Sequence, residues 1–169
     1  SEVIAGGAPV TPERFAAREI IPPVGLTSMK AGPVNAASFV VPAKPAENST
    51  PVIGVKPGLI LTFRHGATLE VTDRGLQPDL VADVVKVAVV ERHGKNGNIG
   101  RSFVTGFGLK RGAIASSVGH DSHNITVVGA TDEDMAVAVN RLIELGGGFV
   151  TADGGKVTAE LALPIAGLM

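Results

Sequence analysis

Residues 125–163 read ITVVGATDEDMAVAVNRLIELGGGFVTADGGKVTAELAL, and the order of signals in this stretch decides the fold class. Ile125 to Val128 is a short apolar, β-branched run that predicts a strand. Thr131 follows with Asp134 three residues on, close to a capping box, and Asp132 and Glu133 add negative charge where a helix N-terminus favours it. Met135, Val139, Leu142 and Ile143 then recur at helical spacing, while Glu133, Asn140, Arg141 and Glu144 occupy the other side. Gly146-Gly147-Gly148 stops the helix. Two further strands are expected around the turn residues Asp153-Gly154-Gly155. Strand, helix and hairpin in sequence predict an α+β layer, a mainly antiparallel or mixed sheet with covering helices.

The same reading extends toward the N-terminus. Asp83 to Glu91 (DVVKVAVVE) predicts a buried strand that exits at Arg92-His93-Gly94, with a turn over Asp79 to Asp83 ahead of it. Glycines at 94, 97, 100, 106, 108, 112 and 119 punctuate the next part. Ala113 to Val118 suits either helix or strand. Before residue 78 the texture changes, because nine of the 11 prolines lie within residues 1–57 and interrupt helices. Strands are expected there at Ala37 to Val41, Val52 to Val55, Leu59 to Phe63 and Thr68 to Thr72, the last before a turn at Asp73-Arg74-Gly75. The connections PAKPAENSTP and KPG separate them. Two segments are therefore expected: a proline-rich small-sheet segment over 1–77 and an α/β-layered domain over 78–169.

Composition narrows the function classes. The 169 residues include no cysteine, so any metal would need nitrogen and oxygen ligands, and His65, His93, His120 and His123 are the only imidazoles. A net charge of −1, with both signs interspersed, gives no field for a nucleic-acid backbone. The apolar runs fall far below the roughly 20 residues that span a bilayer, and SEVIAGGAPV lacks the pattern of a secretory signal. A cytoplasmic chain is expected, with neither nucleic acid nor membrane as partner. Ser1 is an odd first residue for a nascent chain and fits a processed start or a fragment cut from something longer; the sequence leaves fragment, processed product and separate gene product open.

Chemistry concentrates in Ser117 to Ile125, SVGHDSHNI. His120 and His123 are three apart, but Gly119 ahead of them and Asp121, Ser122 and Asn124 among them favour a turn entering the next strand over a regular element. Such a turn can aim one imidazole at a cavity while Asp121 or Asn124 fixes its tautomer. Three readings stay open: a metal site of His93, His120 and His123, a contribution to a ligand site completed by residues outside this chain, and a hydrogen-bonded structural turn. Lys110 and Arg111, in the glycine-rich GFGLKRG, are candidates for anion contact. Ser116, Ser117 and Ser122 lack the context of a nucleophile. Residues 86–125 are expected to form one docking surface, with Phe107 and Leu109 as apolar contacts, against the alternative that Phe107 fills the domain's own core.

KRGAIASSVGHDSHNITVVGATDEDMAVAVNRLIELGGG, residues 110–148, closely resembles the carboxy-terminal domain of bacterial adenine deaminases, a branch of the amidohydrolase superfamily. The likeness takes in VAVVERHG, GFGLKRG and the closing LALPIAGLM, and runs from about Ala36 to Met169. It implies a portion of an enzyme that converts adenine and water to hypoxanthine and ammonia by metal-bound hydroxide. The metal, Mn, Fe or Zn, belongs by this resemblance to a (β/α)8 barrel that precedes the domain and needs about 250 residues of its own. This chain lacks that barrel and its HxH motif, so it is expected to be an auxiliary domain, inactive and cofactor-free by itself. No catalytic or metal-binding residue is assigned. His93, His120, Asp121, His123 and Asn124 are candidates for the substrate site or an interface. The implied partners are the barrel of the same enzyme, adenine, and further copies in a homo-oligomer. The alternatives are an independent purine-binding or oligomerisation module and a self-contained metal hydrolase using His93, His120 and His123.

Overall fold

In the computed structural model, residues 4–5, 8–9, 25–26, 28–43 and 49–169 are described. Ile4–Ala5 (β1) and Ala8–Pro9 (β2) form a two-stranded ribbon. A 3-10 turn at Ala36–Phe39 precedes β3 (Thr50–Gly54), β4 (Phe63–Ala67), and a second ribbon of β5 (Val71–Thr72) and β6 (Gly75–Leu76). Next come β7 (Val85–Val90), β8 (Ile99–Thr105), β9 (Ala113–Ser116), β10 (Ile125–Gly129), the helix α1 (Asp132–Glu144), β11 (Gly148–Asp153) and β12 (Lys156–Ala162). One eight-stranded sheet has the order β12-β11-β9-β10-β7-β8-β3-β4. Every neighbouring pair in it is antiparallel except β3 with β8. The α+β class with a mixed, mainly antiparallel sheet is the observed one.

The helix forms where its cap requires. Thr131 is extended and its hydroxyl accepts the Asp134 N–H at 3.2 Å, which satisfies a donor that the first turn leaves open. Met135, Ala138, Val139 and Leu142 are fully buried against Ala115, Ile125, Val127 and Val150 of the sheet. Asn140, expected on the outer side, instead exchanges two hydrogen bonds with the backbone of Val34, at 2.9 and 2.8 Å, and fixes the segment that crosses the helix. Among the described residues α1 is the one α-helix, so the expected plural covering layer reduces to this helix and the 3-10 turn packed on it. A second cluster of Val52, Leu69, Leu76, Val84 and Phe103 closes the β3–β8 side.

Several expected elements shift. Where β-branched character predicted a strand over Ala37 to Val41, a 3-10 turn spans Ala36–Phe39, nucleated by an Asn35–Ser38 capping box, and Val40 is already extended. The strand expected over Leu59 to Phe63 begins only at Phe63, and Thr68 to Thr72 pairs only at its last two residues. Between Gly94 and Gly112, the glycine punctuation conceals the seven-residue β8, which buries Phe103 and Val104. Part of PAKPAENSTP, residues 44–48, lies outside the described residues. The sheet runs across the 77/78 boundary, since β3 pairs with β8. No helix among the described residues is long and apolar enough to cross a membrane.

The registers define two ends of this sheet. Val90 lies opposite Ile125 and Ile99, and Ser116 opposite Thr126 and Phe149, so the Arg92–His93 exit, the 117–124 loop and the start of β11 share what we call the histidine end. At the other end, the glycine-loop end, Lys86 and Ala113 lie opposite Gly129 and Gly54 lies opposite Thr105. The β3–β4 loop, the 79–83 turn, the GFGLKRG loop and the N-terminus of α1 meet there.

Candidate functional site

Arg92 is the centre of the histidine end. Its chain position just past β7 carries it under the 117–124 loop, and only 2 % of it remains exposed. The guanidinium Nε donates to the carbonyl of His123, Nη1 to the Ser28 hydroxyl at 3.3 Å, and Nη2 to the Ala166 carbonyl at 2.8 Å. Burial lowers its pKa from the ordinary arginine value. A planar fork with several donors can bind three separate segments, which a lysine ammonium on a flexible stem does less rigidly. Gly167 lies flat against the guanidinium: a Cβ there would stand 3.0 Å from Nη1. Ser117, fully buried, donates to the Gly167 carbonyl at 2.6 Å and accepts the Gly148 N–H at 2.7 Å. These bonds pin the apolar tail PIAGLM.

Above this base the HDSHN loop divides into a held stem and a free tip. His123 adopts a positive φ of 49°, its N–H donates to the Gly119 carbonyl at 2.7 Å, and its Nδ1 accepts the Gly119 N–H at 3.4 Å. Asn124 accepts the Arg92 N–H through Oδ1 at 3.4 Å. His93, at the neighbouring strand exit, places Nε2 2.8 Å from the Ser122 carbonyl. Beyond these contacts His120 and Asp121 stand out into solvent, their side chains 93 % and 88 % exposed, with Nδ1 and Oδ1 2.5 Å apart.

Glu91 organises the adjoining turn. Its carboxylate accepts the backbone N–H groups of His93, Lys95, Asn96 and Gly97. Burial works against ionisation, but those four donors outweigh it and hold the carboxyl below its ordinary range.

Geometry thus brings His93, His123 and Asn124 together as a hydrogen-bonded frame and separates His120 and Asp121 from it. Among the described residues no group of three or more potential ligands is disposed to hold a metal ion. His93, His120 and His123 do not fit one, because His93 and His123 are directed at backbone groups and His120 points away. The residues expected to contact anions are elsewhere: Lys110 donates to the Leu80 carbonyl at 2.6 Å and Arg111 pairs with Asp153, both at the glycine-loop end. GFGLKRG and HDSHN therefore do not form one surface, because β9 carries the chain from one end of the sheet to the other between them. Arg92, Ser117 and Glu91 were not singled out by sequence reasoning. Their one sequence signal is a charged or hydroxyl residue at the mouth of a buried strand.

Residues 59–169 match the family model described as the adenine deaminase C-terminal domain. The chain is 58 % identical over 167 residues to adenine deaminase 1 of Rhizobium johnstonii, covering 99 % of this chain and 29 % of that protein. Adenine deaminase of Methylobacterium nodulans is 59 % identical over 170 residues, with 100 % and 30 % covered. Adenine deaminase 1 of Agrobacterium fabrum is 54 % identical over 169 residues, with 100 % and 29 % covered. The chain spans less than a third of the length of these relatives.

Proposed function

This chain belongs to the adenine deaminase C-terminal domain family, and from that premise we propose that it is the C-terminal portion of an enzyme that hydrolyses adenine to hypoxanthine and ammonia. Its task in that enzyme is to present the His120–Asp121 tip to a substrate site held by the rest of the polypeptide. The observation that carries this reading is the contrast within one loop: the stem is bolted to a buried arginine, yet among the described residues the exposed His120 and Asp121 side chains bond only to each other. An imidazole and a carboxylate held outward offer a donor and an acceptor to a polar ring edge or to a water, and a rigid base keeps their ordering cost low. Mn, Fe or Zn, if the enzyme uses one, is held by the remaining portion.

Replacement of His120 or Asp121 by alanine in the complete enzyme tests this. Turnover is expected to fall about 10- to 100-fold at an unchanged unfolding midpoint, the signature of an exposed group that matters only to chemistry. The 169-residue chain supplied with Mn, Fe or Zn is expected to release no ammonia from adenine. Full activity in both variants, or turnover by the isolated chain, overturns the proposal.

A further inference from the structure

Apolar surface is displayed at the glycine-loop end, where Ile60, Val81 and Phe107 stand exposed on their loop tips, but it is enclosed elsewhere. A cavity of about 270 Å³ opens over the second apolar cluster, between β3, β4, the β5–β6 ribbon, β8 and the segment that follows the 3-10 turn. Its floor is Leu69, Leu76 and Phe103, three of the five buried members of that cluster, and Val71 stands at its side. Side chains of a buried core thus line a hollow. Backbone bonds hold its walls in place: the Leu76 N–H donates to the Val41 carbonyl at 2.8 Å, the Gln77 N–H to the Glu70 carbonyl at 2.9 Å, and β3 pairs with both β4 and β8. A cavity bounded in this way is preformed, so a ligand does not have to order it.

Arg101, exposed at the rim, supplies the chemistry. Among the described residues that line the cavity it is the one that carries a charge. Its Nε and Nη1 donate to the carbonyls of Ile99 and Val40 at 3.3 and 3.4 Å, the long end of hydrogen bonding, and no carboxylate pairs with it among the described residues. Most of its bonding capacity is unclaimed. A guanidinium is a planar fork that one carboxylate fills with two parallel N–H···O bonds, so that capacity has a defined complement.

We propose that this cavity is a binding site for a small aromatic carboxylate, its ring on Leu69, Leu76 and Phe103 and its carboxylate on Arg101. Size, apolarity and charge choose that class together. A dry apolar cavity of about 150 Å³ takes benzene, so one of about 270 Å³ takes a ring with a substituent, and it falls just below the range of pockets that hold drug-sized molecules. Inorganic phosphate would leave the apolar floor uncovered, and a neutral ring would leave Arg101 without a counter-charge. A cation would be repelled. The inference does not depend on the deaminase reading.

Titration of benzoate into the isotopically labelled 169-residue chain, followed by amide NMR shifts, tests it. The expected result is saturable shifts at Ala67, Leu69, Val71 and Phe103, with a dissociation constant of about 1 mM or below. Benzamide, the neutral counterpart, and inorganic phosphate are expected to bind at least about tenfold more weakly. Arg101→Gln is expected to erase the preference for benzoate over benzamide. Val71→Glu, which sets a carboxylate in the cavity, is expected to weaken benzoate at least about tenfold; both residues are exposed, so the amide spectrum of the core is expected to stay that of the wild type. Absence of saturable shifts in the wild type, shifts confined to residues away from the cavity, equal binding of benzamide or phosphate, or benzoate binding that ignores the Arg101 change each overturns the proposal. Neither adenine nor turnover enters the experiment, so its failure is distinguishable from failure of the deaminase reading.

Discussion

The two ends of the sheet are closed by opposite chemistry. At the glycine-loop end, carboxylates do the joining. Lys86, on β7, reaches Asp132 in the first turn of α1 with Nζ 2.7 and 2.8 Å from the two carboxylate oxygens, both residues nearly inaccessible. Asp134 accepts the Thr131 hydroxyl and the Gly155 N–H, tying the hairpin to the helix start. At the histidine end the buried charge is a guanidinium whose hydrogen bonds go to carbonyls and a hydroxyl, with no carboxylate partner among the described residues. One end carries compensated charge beneath an apolar tip, and the other carries an uncompensated cation beneath a polar tip. A paired charge that loses its partner is left buried and unsatisfied, whereas a guanidinium on carbonyls shares a weaker load over several segments. The difference teaches where the domain is braced globally and where only a loop is held.

The largest expected effect follows at the glycine-loop end. Asp132→Ala strands Lys86 in the core and is expected to cost about 3–5 kcal/mol in urea unfolding, while the double change Lys86→Met with Asp132→Leu recovers most of it. A loss below about 1 kcal/mol for the single variant would break the comparison, because it would mean that the lysine finds water or another acceptor.

Arg92→Lys probes the other end. It keeps the charge but not the fork that spans His123, Ser28 and Ala166, and is expected to cost about 2–3 kcal/mol. Faster amide exchange is expected to be concentrated in residues 118–124 and 165–168, with core amides such as those of Val127 and Val139 following only the global loss. Equal relative deprotection everywhere would show that the two ends are braced alike.

How far this was legible in the sequence follows from what each signal encodes. The helix, its Thr131 cap and the 148–162 hairpin were readable because periodicity, capping residues and a turn pair all act within a few residues. Strand β8 was not, since its glycine at 100 and polar 101–102 hide a half-buried element that only pairing with β7 and β3 stabilises. HDSHN was legible as a polar turn at a strand entry. That its two histidines part company was not, because the split comes from Arg92, 31 residues away, gripping the His123 carbonyl. The resemblance of residues 110–148 located the domain within a family, yet it could not place GFGLKRG and HDSHN at opposite ends. That separation is a property of strand order.

The smallest expected effect sharpens the comparison at the turn beside Arg92. Glu91 binds four backbone N–H groups there in place of a cation. Because those donors depress its folded-state pKa, its contribution is fully present above the ordinary glutamate value of about 4.3 and is lost as pH falls through the lower folded-state value. Acidification is therefore expected to release the amides of Lys95, Asn96 and Gly97 to exchange before the sheet unfolds. Glu91→Gln is expected to reproduce that release at neutral pH and to abolish its acid dependence, since an amide oxygen carries no charge to lose. The exchange must be compared after correction for its intrinsic pH dependence, residue by residue. Should the corrected protection of this turn stay constant in the wild type from neutral pH into the acid range, the carboxylate would be an ornament on a turn shaped by Gly94 and Gly97, both at positive φ. The histidine end would then be held by Arg92, Ser117 and the frame of His93, His123 and Asn124.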